Sequence, residues 1–324
     1  MAPKGAAFKT IEAAVSKINT LYPAADKQIE IRLAPGTHQI PNPITIPSNV
    51  QIVGAGRGIT TVEATTAVPF FMDNNTAIKN FTLNSLYSGG DAIFIQASSK
   101  NDLLFEDLEI TFNQSNENRQ ALYLITSSGK INRVSISGTA NFSTAVAING
   151  ADSVFDINDL EINLSLNGGY GIEISNGAAV KLFNSKLTLT AVTSIIAPAA
   201  IRIGGASTST EISDVISELT GNTINCSSAY ITESTDVLFR NSKFLCAGPS
   251  VGTVATSENA VVTILNSLIK ADASSSTLGA NNNSTINIAH SHLDGGNTYV
   301  FGGSSITCAA MTDENFAFNQ STCP

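Results

Sequence analysis

The chain has 324 residues, enough for two ordinary domains; 43% are hydrophobic but only 6% aromatic, with no Trp. Its 17 Lys and Arg against 26 Asp and Glu give a net charge of −9 at pH 7. With no basic stripe this excludes a nucleic-acid partner, and it disfavours tight binding of polyanions unless calcium bridges the charges. No apolar run approaches the ~20 residues of a membrane-spanning helix.

The first predicted element covers 8–22, with apolar residues at 8, 11, 14, 15, 18, 21 and 22, the spacing of a helix with one apolar face. Thr10 is placed to cap its N-terminus and Pro23 stops it. Met1-Ala-Pro-Lys-Gly5 carries no apolar leader, so the sequence reads as a mature chain behind an added Met. Gln28–Leu33 alternates as a strand, Pro35-Gly36 is a turn, and Ile44–Ile46 and Val50–Val53 are short strands. Gly54-Ala-Gly56-Arg-Gly58 is a tight corner, and Thr61-Val-Glu63 closes a first coil.

From there a phrase returns about every 26 residues, a polar residue followed by a short strand. It reads Asn80-Phe-Thr-Leu83, Asp107-Leu-Glu-Ile110, Arg133-Val-Ser-Ile136 and Asp159-Leu-Glu-Ile162, then Asn184-Ser-Lys-Leu187. A blurred copy surrounds Asp214, and the phrase resumes at Asn241, Asn266 and His290. Two further strand families share the period: coil starts such as Ala92–Ile95, Ala121–Ile125, Gly171–Ile174 and Ala200–Ile203, and following strands such as Val154–Ile157 and Val180–Phe183. A period of this size marks a solenoid whose repeats bury their apolar sides on one another. Short strands that each pair with the same segment one coil on make an all-β, single-stranded parallel β-helix. The expected rod has about ten coils and three sheets and is near ~50 Å long at ~4.8 Å per rung. The amphipathic helix is then the cover of the first open rung. We expect one domain over 1–324: cap helix at 8–22, coils over 28–307 and a C-terminal tail at 308–324. The recurrent Asn or Asp suits a corner, since both tolerate left-handed backbone and bond their own turn.

Four cysteines are present. Cys308 and Cys323 flank the polar tail, and a bridge between them contributes roughly 3 kcal/mol by loop closure. Cys226 and Cys246 form a second bridge or remain buried thiols. An even cysteine count, few Lys and many Asn, Ser and Thr fit an exported protein or one at a cell or virion surface.

Phe8-Lys-Thr-Ile-Glu-Ala-Ala-Val15, Ile31-Arg-Leu-Ala-Pro-Gly-Thr37 and Val50-Gln-Ile-Val-Gly-Ala-Gly56 resemble the entrance of pectin-lyase-like β-helices, most nearly the pectin methylesterases. The resemblance covers about the first 60 residues and implies a right-handed, three-sheet helix. It also implies a site of two aspartates with glutamines and an arginine. Gln120-Ala-Leu-Tyr-Leu124 is similar to the family's "QAVAL" segment. Where the acid and nucleophile should follow, this chain has Asn141-Phe-Ser-Thr144 and Gly169-Tyr-Gly-Ile-Glu173, with no Asp. The arginine motif, and the motifs of polygalacturonases and pectate lyases, do not match either.

The candidate site residues are therefore few. Asp91, Glu117, Arg119 and Gln120 cluster around the polar stretch 113–119 and could line a sugar site, since convergent acids and a base are how such enzymes cleave polysaccharides. Asp91, Asp102, Glu106 and Asp107 lie within two coils, the one place calcium is conceivable, although no calcium motif supports it. His290 and His292 alternate on one strand and point the same way. No cofactor or zinc spacing is found. The expectation is an exported or surface-associated, non-catalytic β-helix that binds a polysaccharide or surface glycan or acts as an adhesin, as monomer or homotrimer. The alternatives are a polysaccharide-active lyase or hydrolase with an unrecognised site, and a structural spike or fibre component.

Overall fold

A strand that alternates apolar and polar residues buries one face, and a chain that must return to the same edge every 26 residues needs sharp corners. Both demands are visible in the structure, a computed structural model that describes residues 8–21, 27–114, 117–192, 198–206, 208–221, 227–233, 235–248, 252–272, 275–312 and 318–319. Its strands form three parallel ladders. The first runs from Ile44–Ile46 through Ala92–Ser98, Arg119–Ile125 and Ala199–Gly204 to Asn297–Val300. The second runs from Ile29–Arg32 to Ser305–Ala309, and the third from Gly36–Ile40 to Met311–Thr312. Each return to a sheet is a parallel crossover, which an L-amino-acid chain makes right-handed. The result is a right-handed parallel β-helix whose coil number agrees with the sequence expectation to within one turn. The third ladder carries the coils past 307 to Thr312.

All nine phrase residues from Asn80 to His290 sit at positive φ, between 47° and 61°, including the blurred copy's Asp214 at 57°. Ala310 continues the row at 52°. This left-handed corner, not a charge, is what the position requires. Asp214 is blurred because the residue types in its strand are exchanged while the register is kept: Ile216 takes the outward place of Lys186, and Ser217 takes the inward place of Leu187, fully buried and hydrogen-bonded to Ser228 inside the core (Oγ–Oγ 2.6 Å). Where Ser follows the corner residue it forms a stack. The hydroxyls of Ser185, Ser242, Ser267 and Ser291 each donate to the carbonyl two residues back and accept an N–H from the previous coil. Buried hydroxyls are satisfied this way without leaving the helix axis.

The core is Ile, Leu, Val and Ala with Phe70, Phe81, Phe94, Phe105, Phe155, Phe239 and Phe244 fully buried. Helix α1 (Ile11–Leu21) lies over the first coil, against the strands Gly36–Ile40 and Ile44–Ile46. Thr10 caps it, accepting the N–H of Ala13 at 3.1 Å, and Ile11, Ala14, Val15 and Ile18 form its buried stripe. Phe8 and Leu21, expected on that stripe, are instead 44% and 50% exposed: Phe8 precedes the helix, which begins at Ile11, and Leu21 is its last residue. Tyr22 and Pro23 lie outside the described residues.

Candidate functional site

The four candidates from the sequence separate in space. Arg119 begins a first-sheet strand on the inward side and is fully buried. Its guanidinium donates to the carbonyls of Gly90 (2.6 Å), Asn118 (2.9 Å) and Tyr87 (3.3 Å). Burial pulls its pKa down, and the charges of Glu117 and Asp91 oppose that shift. Arg119 therefore ties down the 86–91 connection and does not face a ligand, which corrects the sequence expectation. Asp91 is exposed and accepts the Asn118 N–H at 3.4 Å, and Glu117 is half-buried beside it. Gln120 is the one candidate on the outer face, in register between Ile93 and Thr144.

The acidic group of two adjacent coils is also divided. Glu106 and Asp107 sit at the second corner, clamped by Arg133. Its Nε and one terminal nitrogen meet the two Asp107 oxygens at 2.7 and 2.8 Å, and that same nitrogen meets Glu106 at 2.9 Å. Lys79 lies 3.8 Å from Glu106, and Arg57 lies 3.7 Å from Asp107. The hydrogen bond from Arg133 holds the Asp107 carboxyl below its ordinary value, against a smaller desolvation effect. Asp102 is exposed at a left-handed corner, φ 57°. These carboxylates are spent on ion pairs or turns. Among the described residues no group of three or more His, Cys, Asp or Glu is placed to hold a metal.

His290 and His292 stand on the outer side, one on each flank of the buried Ser291, with His290 exposed and His292 half-buried. His290 is a corner residue at φ 52°, and His292 starts the following strand with Nδ1 2.9 Å from Thr312 Oγ1. Both border a shallow cavity of about 490 Å³ with Asn266 and Thr312.

A group that the candidate list lacks lies on the outer face of the first sheet. Tyr123, Ala147, Glu173, Arg202 and Tyr230 occupy one column, in register from coil to coil. Each is flanked by inward aliphatic residues, as Glu173 is by Ile172 and Ile174, so all project outward. Arg202 forms an ion pair with Glu173, both under a third exposed. Its guanidinium carbon lies 5.1 Å from the centre of the Tyr170 ring, in cation–π contact. Phe142 meets the same ring edge-on, with centroids 6.1 Å apart. Burial pushes the Tyr170 phenol up, against the opposing charge of Arg202. Tyr230 reaches Ser257 Oγ at 3.4 Å. Gln120 belongs to the neighbouring column, in register through Thr144 with Tyr170. The arrangement offers ring faces, one fixed cation–anion pair and an amide. The signal was available in the sequence: the middle residue of Leu122-Tyr-Leu124, Val146-Ala-Ile148, Ile172-Glu-Ile174 and Ile201-Arg-Ile203 is the same position in successive coils.

No family model matches the chain, and no curated protein matches it. Among solved structures it is similar to the A-module of mannuronan C-5 epimerase AlgE6 from Azotobacter vinelandii, at 12% identity and TM-score 0.46 over 93% of this chain and 97% of that one. It is similar to a catalytic domain of a GH87 α-1,3-glucanase, at 12% identity and TM-score 0.49 over 93% and 65%. It is also similar to pectin methylesterase from carrot, at 15% identity and TM-score 0.44 over 76% and 81%. Its own ladders make the chain a right-handed parallel β-helix protein. No residue is carried over from these structures.

Proposed function

We propose that the protein is an exported or surface-associated β-helix that binds a polysaccharide through the outer face of its first sheet, without turning it over. The observation that carries this reading is the Tyr170–Arg202–Glu173 group. Packing of a solenoid requires apolar residues inside and tolerates anything outside, so it does not call for a half-buried Tyr with a cation on its ring and an ion pair beside it. Such a group is pre-formed, and a pre-formed surface loses little side-chain entropy on binding. Tyr123 and Tyr230 extend it along the rod, so a chain of sugar rings can lie across successive coils with its apolar ring faces on the aromatic rings. Arg202 is neutralised by Glu173, which favours uncharged or weakly charged polymers, in keeping with the net charge of −9.

A second reading is favoured by Glu173 itself. A carboxylate beside an arginine and an aromatic ring can also transfer protons, which is the polysaccharide-active alternative. One experiment separates the two: a screen of neutral and acidic polysaccharides for binding, paired with assays for new reducing ends and unsaturated products. We expect binding that falls about tenfold or more in Arg202→Ala and Tyr170→Ala, with no product. Turnover abolished by Glu173→Gln would replace the first reading with the second.

A further inference from the structure

The two ends of the rod are finished differently. At the N-terminal end α1 lies on the first coil, and Ile40, Ile44 and Ile46 beneath it are almost fully buried. At the C-terminal end the third sheet is closed by Phe318–Asn319, which runs antiparallel to Met311–Thr312, and Met311 is fully buried. The first sheet ends on Asn297–Val300, whose one strand partner among the described residues is Ser276–Ala280. Val300 continues the inward column of Ala280, yet it is 48% exposed, since no further first-sheet strand follows among the described residues. Tyr299 and Phe301 flank it on the outer side, 46% and 60% exposed, with rings nearly parallel (10°) and centroids 6.5 Å apart. Among the described residues these are the only three consecutive large apolar side chains that are exposed.

An open strand edge displays unpaired N–H and C=O groups and is ordinarily guarded by Lys, Pro or another charge. Asn297 and Phe301 donate their N–H groups to the preceding coil, at 3.1 and 2.9 Å, so by the alternation of a parallel ladder those of Thr298 and Val300 point to the open side. No guard stands beside them: between Asp294 and Asp313 the sequence has no charged residue and no Pro, in a protein of net charge −9. We propose that this end is the interface of a two-fold dimer, in which Asn297–Val300 pairs antiparallel with the same strand of a second copy. With the axis at Tyr299, Thr298 stands opposite Val300 of the partner subunit, and their open N–H and C=O groups satisfy one another. Tyr299 stands opposite its own counterpart, and the two open cores meet through Val300. The lack of charge favours a second copy: two identical ends approach with no like charges facing, while the acidic remainder of each rod stays apart. Because α1 seals the other end, association stops at two copies and does not run on into a fibre. Edge pairing also joins the two first sheets into one, with their outer faces on the same side, so one polysaccharide chain is within reach of both copies. That consequence rests on the function proposed above; the dimer does not.

The test is sedimentation velocity of the full chain without ligand, from about 1 to about 500 μM to suit a small interface, on wild type, Tyr299→Lys, Tyr299→Glu and an equal mixture of the two variants. We expect a reversible dimer in wild type. Position 299 faces outward, so both variants should melt at the wild-type temperature, but like charges directly opposite one another should weaken each homodimer about tenfold or more. The mixture should recover the dimer, because Lys then stands opposite Glu. A wild type that stays monomeric throughout would overturn the proposal and leave the patch to another occupant, the chain's own tail or a saccharide. A dimer unaffected by Tyr299→Lys would place the interface elsewhere, and variants that mixing does not rescue would exclude the two-fold strand pairing. Absence of polysaccharide binding in a wild type that still dimerises would count against the function proposed above and not against the dimer.

Discussion

At the scale of single residues, the corner position explains why Asn, Asp, Arg and His replace one another in the repeated phrase. Each is held near φ +50°, where a Cβ costs about 1–2 kcal/mol and a short polar side chain recovers part of that by local hydrogen bonding. Asn241, exposed at φ 48°, is a clean test because it has no part in either proposed site. Asn241→Gly should leave stability within about 0.5 kcal/mol of wild type, and the β-branched Asn241→Val should lower it by about 1–2 kcal/mol in urea titration. Equal effects would show that the corner does not depend on backbone handedness. A second consequence concerns acid. Asp107 is held below its ordinary value by Arg133. Asp73 also lies below it: burial pushes it up, but the hydrogen bonds from Lys100, Asn74 and Ser48 outweigh that. A carboxyl with a depressed folded-state pKa contributes stability that is complete above its unfolded value and is lost as pH falls through the folded one. The melting temperature should therefore be flat down to about pH 5 and fall below the ordinary value of 3.8. In Arg133→Gln the acid limb should be shallower, by a modest amount because the pair is partly exposed.

At the scale of elements, the strand families, the capping helix and its Thr10 cap follow from the sequence because each rests on a local rule: alternation, helical spacing or a turn residue. The site did not follow in the same way. Arg119 looked like a ligand-facing residue because a cation in a polar stretch is ordinarily exposed. Only the coil-to-coil register turns its side chain inward onto the carbonyls of Tyr87, Asn118 and Gly90. Glu173 and Arg202 are 29 residues apart and become partners only when Ile172 and Ile174 are laid against Ile201 and Ile203. The helix makes its own prediction. Its buried residues Ile11, Ala14, Val15 and Ile18 lie on the first coil, whose Ile40, Ile44 and Ile46 are 0–3% exposed beneath it. Each buried Ile or Val contributes about 1.5–3 kcal/mol. Deleting residues 1–21 should uncover that coil and its strand edges and give oligomers by light scattering at micromolar concentration. Ile11→Ser with Val15→Ser should do the same to a smaller degree, and a monomeric deletion variant would deny the helix its covering role.

For the whole molecule, a solenoid couples each coil only to its neighbours, so a constraint at one end is felt locally. The cysteines allow this to be measured. Cys246 and Cys308 are buried at 3% and 5% exposure and neither is a free thiol, while Cys226 and Cys323 lie outside the described residues. We propose the pairings Cys308–Cys323 and Cys226–Cys246, which non-reducing peptide mass spectrometry should recover as two linked pairs. Cys308 sits in Ser305–Ala309, the last strand of the second ladder. A bridge from there to Cys323 closes a short loop and contributes roughly 3 kcal/mol, chiefly by restricting the unfolded tail. In a globular domain, losing it would lower protection everywhere. Here Cys308→Ser with Cys323→Ser should raise amide exchange in the last coils, from about Thr285 to Thr312, and leave the central strands over 128–175 at wild-type rates. Melting followed by far-ultraviolet circular dichroism should gain an early, small transition ahead of an unchanged main one. A single transition shifted as a whole would mean that the coils unfold as one unit and that the nearest-neighbour description is wrong for this rod.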